Sequence, residues 1–299
     1  MLINLKNIYQ NFNKQTILKN INLNLENGSF YGLLGPNGSG KTTLIKILTQ
    51  QIQQTKGSVI WTDENGEVLN TAQVNKLVGV VHQDSVLDDN LTVKENLLSR
   101  GGFYGLKKQY ILNKIDELDQ EFKINELMKK KYGTLSGGQK RRIDIVKVLL
   151  NSPKVLILDE PTTGIDVQMR ADLWESIHNI RKQQDLTVIL VTHYLEEMES
   201  IDYLITLING ENQFFGTTFD FIKRYGYSEL KIHLKDNDIK IKNKVPDKKG
   251  KLSFFNIDIN TKINILNEAY DKRVLVNFEN KTPSLEDSYL QLLKEEKLR

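Results

Sequence analysis

The chain has 299 residues, enough for one large domain or for a domain of about 200 residues with a smaller companion. Hydrophobic residues make up 39% and charged residues 26%, the balance of a chain that buries a core, and 41 Lys and Arg against 38 Asp and Glu leave a formal net charge of +3. That near balance lacks the basic footprint of a nucleic-acid binder, and zero Cys excludes disulfides, thiolate zinc sites and a cysteine nucleophile.

In chain order, the opening stretch MLINLKNIYQNFNK alternates apolar and polar residues, so a secretory signal is not expected. Strands are expected at 30–34, 78–82, 155–159, 187–192 and 203–208, alternating with helical stretches. VLILD and TVILVT are apolar on consecutive residues, the pattern of strands covered by helices on both faces. The longest apolar runs, 155–158 and 188–191, are far below the ~20 residues of a membrane-spanning helix, so the chain is not expected to cross a bilayer by itself. Asn209-Gly210 reads as a tight hairpin turn into a strand at 213–215. After Tyr225 the texture changes. Strand-like pieces at 230–234 and 252–259 flank the lysine-rich KNKVPDKKGK, and a helix around 262–271 and a strand at 274–278 follow. A last helix starts at Ser284, with Asp287 completing a capping-box pattern. The expected organisation is an α/β domain over 1–222 and a small α+β appendage over 223–299.

GPNGSGKT at 35–42 fits G-x-x-x-x-G-K-[ST], after the strand FYGLL and before the amphipathic TTLIKILTQ. Gly35, Gly38 and Gly40 let backbone amides turn toward phosphate oxygens, and the helix behind them points its positive end at the same anion. Lys41 supplies a mobile positive charge to the β- and γ-phosphates, and the Thr42 hydroxyl is placed to ligate Mg²⁺. VLILDEP at 155–161 ends a strand in two carboxylates that strand alternation would point different ways. Asp159 is the metal-shell candidate. Glu160 is the candidate general base, or water-orienting group, for in-line attack on the γ-phosphate. LSGGQ at 135–139 leads into KRRIDIVKVLLNS and so sets Ser136, Gly137 and Gly138 at an anion-facing helix N-terminus. Gln83 follows the strand at 78–82, where its amide can reach Mg²⁺ or a bound water. His193 follows the strand at 187–192 as a candidate partner of the γ-phosphate, and Asp166 in TTGID reads as a helix N-cap.

These ordered elements, GPNGSGKT, Gln83, LSGGQ, VLILDEP and His193, resemble the ABC-type ATPase domain of the P-loop NTPases over residues 1 to about 222. The resemblance implies a mixed-sheet core with a helical subdomain at about 90–150 that carries LSGGQ. It implies ATP and Mg²⁺ as ligands. Gly35, Pro36, Asn37, Gly38, Ser39, Gly40, Lys41, Thr42 and Thr43 would cradle the triphosphate, and Thr42, Gln83 and Asp159 would define the Mg²⁺ environment. Phe12 would stack on adenine, with Tyr9 as the substitute, and Glu160, His193 and Lys41 would act in catalysis. Ser136, Gly137, Gly138 and Gln139 would contact the γ-phosphate held by an opposite subunit, with Asp166 at that interface. Two such subunits, as a homodimer or heterodimer, would close head-to-tail on ATP. Residues 83–105 would form the groove that receives a permease's coupling helix.

Within the family, SGGQKRRIDIVKVLLNSPKVLILDEPTTGIDVQMR looks like the drug- and antibiotic-resistance export branch, paired with separate ABC-2-type permeases. The tail PSLEDSYLQLL resembles a C-terminal motif of that branch, with Tyr289 in the place of a usual Phe. TTGID and Phe12 depart slightly from the commoner serine- and leucine-containing turn and from the usual Tyr. The alternatives are the energising subunit of an importer and a soluble ATPase acting on ribosomes or DNA; the long insertions or second ATPase domain of the latter are absent from this sequence. The expected location is the inner face of the cell membrane, with membrane contact only through the permease, and the lysines at 244–251 read as a solvated loop.

Overall fold

The computed structural model describes residues 1–298 apart from Lys14 and Asn237. The chain divides into two compact units, Met1–Gly216 and the residues from Thr217 onward. The first unit begins with β1 (Leu2–Phe12), β2 (Gln15–Glu26), β3 (Phe30–Leu34), α1 (Lys41–Leu48) and β4 (Lys56–Thr62). It continues through α2 (Thr71–Leu77), β5 (Val78–Val81), α3 (Val93–Phe103), α4 (Lys108–Phe122) and α5 (Gly137–Leu149). It ends with β6 (Val155–Asp159), α6 (Val167–Gln184), β7 (Thr187–Val191), β8 (Tyr203–Ile208) and β9 (Glu211–Gly216).

Two sheets share its core. One is antiparallel, in the order β2-β1-β4, and the other is mixed, in the order β5-β6-β7-β3-β8-β9, with only β9 antiparallel. Strands β3 and β7 are buried at every position, which explains their unbroken apolar sequences. Leu44, Ile47 and Leu48 of α1 pack into one cluster with Ile3 and Leu5 of β1 and Ile157 and Ile189 of the mixed sheet. Trp61 is fully buried beside them and donates its indole N–H to the Leu48 carbonyl at 3.2 Å. Because β5, β6, β7 and β3 run parallel as neighbours, their C-terminal ends lie along one edge. The segments leaving that edge carry Gln83, Glu160, His193 and the 35–40 loop. Asn209 and Gly210 both have positive φ, 51° and 79°, as a type I′ hairpin turn between β8 and β9 requires.

The second unit comprises α7 (Thr218–Tyr225), β10 (Glu229–Leu234), β11 (Lys251–Phe255), α8 (Ile259–Asp271), β12 (Leu275–Lys281) and α9 (Leu285–Leu298). Its antiparallel sheet has the order β11-β10-β12, and Leu230, Ile232, Leu252 and Phe254 pack with Ile265 and Ala269 of α8. The division precedes α7, whereas a boundary after residue 222 would cut that helix, which packs with α9. The strand expected over 252–259 stops at Phe255. Asn256 turns left-handed at φ 52°, and Asp258 caps α8 through the Thr261 amide, so the segment goes into a turn and a cap. The Ser284 hydroxyl accepts from the Asp287 amide at 3.0 Å, the N-cap bond expected there. Burial pushes the Tyr289 phenol up to about 12. Among the described residues, no helix is long and apolar enough to cross a membrane.

Candidate active site

The 35–40 loop leaves β3 and enters α1 in a conformation that depends on its glycines. A Cβ at Gly35 would lie 2.1 Å from the Leu207 carbonyl, and Gly40 has φ 103°. Gly40 precedes α1 without a side-chain cap, so the first amides of the helix are left for a ligand. Lys41 Nζ donates to the carbonyls of Gly35 at 2.7 Å and Pro36 at 3.1 Å, which holds the ammonium over the loop. Burial pushes the Lys41 ammonium down, while Glu160 and Asp159 favour its charge. Ser39 is buried beneath the loop with its hydroxyl unpartnered. The cradle fits a polyphosphate: amides, an ammonium, and glycines at 35 and 40 where a Cβ would meet its neighbours.

Phe12, Ile17, Asn37, Gly38, Gly40, Lys41, Thr42, Thr43, Gln83, Asp159 and Glu160 line one cleft of about 390 Å³. Tyr9 lines a different cavity with Thr16 and Lys56, so Phe12 is the aromatic at this cleft. Thr42, Gln83 and Asp159 offer a hydroxyl, an amide and a carboxylate, an oxygen-donor set suited to Mg²⁺. Burial, and then the charge of Glu160, push the Asp159 carboxyl above its usual range.

Strict alternation does not carry past Asp159. Strand β6 ends there, and Glu160 is left-handed at φ 46°, so both carboxylates line the same cleft. A non-glycine residue in that region costs about 1–3 kcal/mol and persists only where its surroundings hold it. The Glu160 amide donates to the Val191 carbonyl at 2.8 Å. His193 Nδ1 lies 3.2 Å from Glu160 Oε1, and the Thr163 hydroxyl donates to Oε2 at 3.3 Å. A carboxylate oxygen accepts in such a pair, so a hydrogen bond there needs the hydrogen on His193 Nδ1.

Ser136 caps α5 reciprocally: its hydroxyl accepts from the Gln139 amide at 3.3 Å, and Gln139 Oε1 accepts from the Ser136 amide at 3.1 Å. A Cβ at Gly137 would touch the Gly164 carbonyl, and one at Gly138 would meet Met169 at 2.6 Å. Asp166 caps α6 through the Met169 amide at 2.9 Å. None of Ser136, Gly137, Gly138, Gln139 and Asp166 lines the Lys41 cleft, but Gly137 faces an adjoining cavity of about 400 Å³ that Gln83, Glu160 and Arg141 also line.

A buried network was not legible in advance. Arg141, on α5, donates to the carbonyls of Pro161 at 2.6 Å, His82 at 2.5 Å and Asp159 at 3.0 Å. One turn on, Asp144 accepts from the hydroxyls of Ser85 at 2.7 Å and Tyr132 at 3.1 Å. Burial pushes the Tyr132 phenol up and the Lys147 ammonium down, and Asp144 opposes the latter. In sequence, KRR at the start of a helix carries no sign of which basic residue turns inward.

The family model described as ABC transporter matches residues 18–163. The chain is 36% identical over 228 residues to the linearmycin resistance ATP-binding protein LnrL of Bacillus subtilis strain 168, covering 75% of this chain and 72% of that one. It is also 36% identical over 210 residues to the Nod factor export ATP-binding protein I of Burkholderia lata, covering 70% and 68%. A bacterial ABC transporter cassette solved as a dimer superposes with a TM-score of 0.62 at 26% identity, over 72% of this chain and 98% of that one. Sequence, fold and cleft agree: this chain belongs to the ABC transporter family, as one of its ATP-binding and ATP-hydrolysing subunits.

Proposed function

We propose that this chain powers export through a separate ABC-2-type membrane permease, working as a pair of ATPase subunits on the cytoplasmic face of the membrane. The export assignment is supported by relatives named for linearmycin resistance and Nod factor export, which match about 70% of the chain or more. The catalytic assignment rests on one observation above others: Lys41, Asp159 and Glu160 face a single cleft with His193 bonded to Glu160.

In this reading Phe12 stacks on the adenine, and residues 35–43 bind the triphosphate through amides and the Lys41 ammonium. Thr42, Gln83 and Asp159 would hold Mg²⁺, which supplies charge neutralisation on the phosphates when bound. Glu160 orients the attacking water and accepts its proton, held in place by His193 and Thr163. For the other ring nitrogen of His193 to donate to a γ-phosphate oxygen as well, the ring would act as the imidazolium, which carries a hydrogen on both nitrogens. The capped N-terminus of α5, absent from the chain's own cleft, completes the site of a second subunit. Residues 83–105, with Val86 and Phe103 exposed, are the surface for the permease.

Glu160→Gln tests the assignment. It keeps the shape of the side chain and removes its basicity. ATP binding should persist, steady-state turnover should fall by about 100-fold or more, and a dimer should accumulate with ATP on size-exclusion chromatography. Normal turnover by this variant would remove Glu160 from the chemistry.

A further inference from the structure

We infer that Arg141 is a positioning residue that sets Glu160 and Gln83 from the helix behind the LSGGQ turn, so that hydrolysis depends on where that helix stands. This rests on the reading of Glu160 as the group that activates water. Arg141 is 6% exposed, and its guanidinium spends its donors on three backbone carbonyls from two separate loops. Asp159 and Pro161 are the residues on either side of Glu160, and His82 is the residue before Gln83. One side chain therefore brackets the proposed catalytic carboxylate and anchors the start of the loop that carries the proposed Mg²⁺ amide.

The backbone between the two bracketed carbonyls is the strained one. Glu160 stands at φ 46°, and such a conformation needs neighbours that over-determine it. Arg141 grips the carbonyls before and after it, while Val191 takes its amide. The same helix also holds the far side of the Gln83 loop, since Asp144 accepts from the Ser85 hydroxyl at 2.7 Å. A shift of α5, whether driven by a neighbouring subunit at Ser136 or by a permease at the Gln83 loop, must carry Glu160 with it. Lysine is no substitute here, because a compact ammonium cannot span the carbonyls that a planar fork reaches together.

The test compares Arg141→Lys and Arg141→Met with the wild-type full chain in steady-state ATPase assays, and adds each change to Glu160→Gln. Arg141→Lys should lower kcat by about 100-fold, with KM for ATP within about threefold. In the Glu160→Gln background it should cost little further turnover, because both changes act through one carboxylate. Arg141→Met, which keeps the apolar stem, should show the same split with a larger loss. ATP binding and the thermal unfolding midpoint report that each variant is folded, and Arg141→Lys serves where the methionine variant is not. Losses that multiply with those of Glu160→Gln would overturn the inference. So would unchanged kcat in Arg141→Lys, or a fall confined to ATP affinity. Full activity of Glu160→Gln alone would instead remove the catalytic reading on which it rests.

Discussion

Asp159 is held where its charge is disfavoured, by burial first and by the Glu160 carboxylate second. Its folded pKa lies above the ordinary 3.8, so its contribution to stability is full below that value and is lost as pH rises through the folded one. Ionising Asp159 in the nucleotide-free protein therefore carries a cost that a bound cation would relieve. Asp159→Asn should raise the unfolding midpoint of the nucleotide-free protein at pH 7 by about 2 °C or more, and abolish most of the further rise produced by ATP with Mg²⁺. A scanning-fluorimetry series with and without both ligands measures this; a lowered midpoint with undiminished ligand response would contradict it. At this scale the sequence was most legible where chemistry is local. The loop at 35–40 and the start of α1 could be read as a unit, because the turn, the charge and the helix start lie within one short segment. The direction of Glu160 could not, since its left-handed backbone is set by Val191 and Arg141 from distant parts of the chain.

Strand β5 and helix α5 illustrate how elements, rather than residues, deliver Gln83 and the LSGGQ turn to their places. Gly79 in β5 allows Val148 of α5 to close on the strand: a Cβ there would lie 2.2 Å from the Val148 side chain. Val148 is β-branched and 3% exposed, so it cannot swing away. Gly79→Ala should cost about 1–3 kcal/mol in urea unfolding, and Val148→Ala in the same chain should recover more than half of that loss. Simple addition of the two single costs would show that the strand and helix do not meet as described. The apolar runs of β3, β6 and β7 announced themselves because burial on both faces leaves no polar interruption. The β2-β1-β4 sheet was less readable. Its pairing shifts register beyond Leu5, and left-handed Asn7 and Asn20 break the alternation that marks a strand. The early end of β11 has a related reason: Asn256 spends its side chain on the distant Ser228 amide and Asp258 on the nearby Thr261 amide, which no apolar count detects.

For the whole molecule, the parallel neighbours β5, β6, β7 and β3 gather Gln83, Glu160, His193 and the 35–40 loop at one edge, while the Ser136 turn packs near Gly164 and Met169 outside the Lys41 cleft. Each chain thus carries a cleft lined by Lys41, Asp159 and Glu160 and, outside it, the Ser136-capped start of α5. This division follows from order along the sequence, which is why the family and its architecture were legible from five motifs; which side chains lock the motifs together was not, because buried polar contacts leave no periodic trace. The absence of native cysteine makes the central claim directly measurable. Asn37→Cys and Ser136→Cys, placed together in the Glu160→Gln chain, should form an intermolecular cross-link under mild oxidation when ATP and Mg²⁺ are present. ADP or no nucleotide should give little cross-linked dimer. A yield indifferent to ATP, or cross-linking only within single chains, would contradict a site completed by the neighbour's LSGGQ turn.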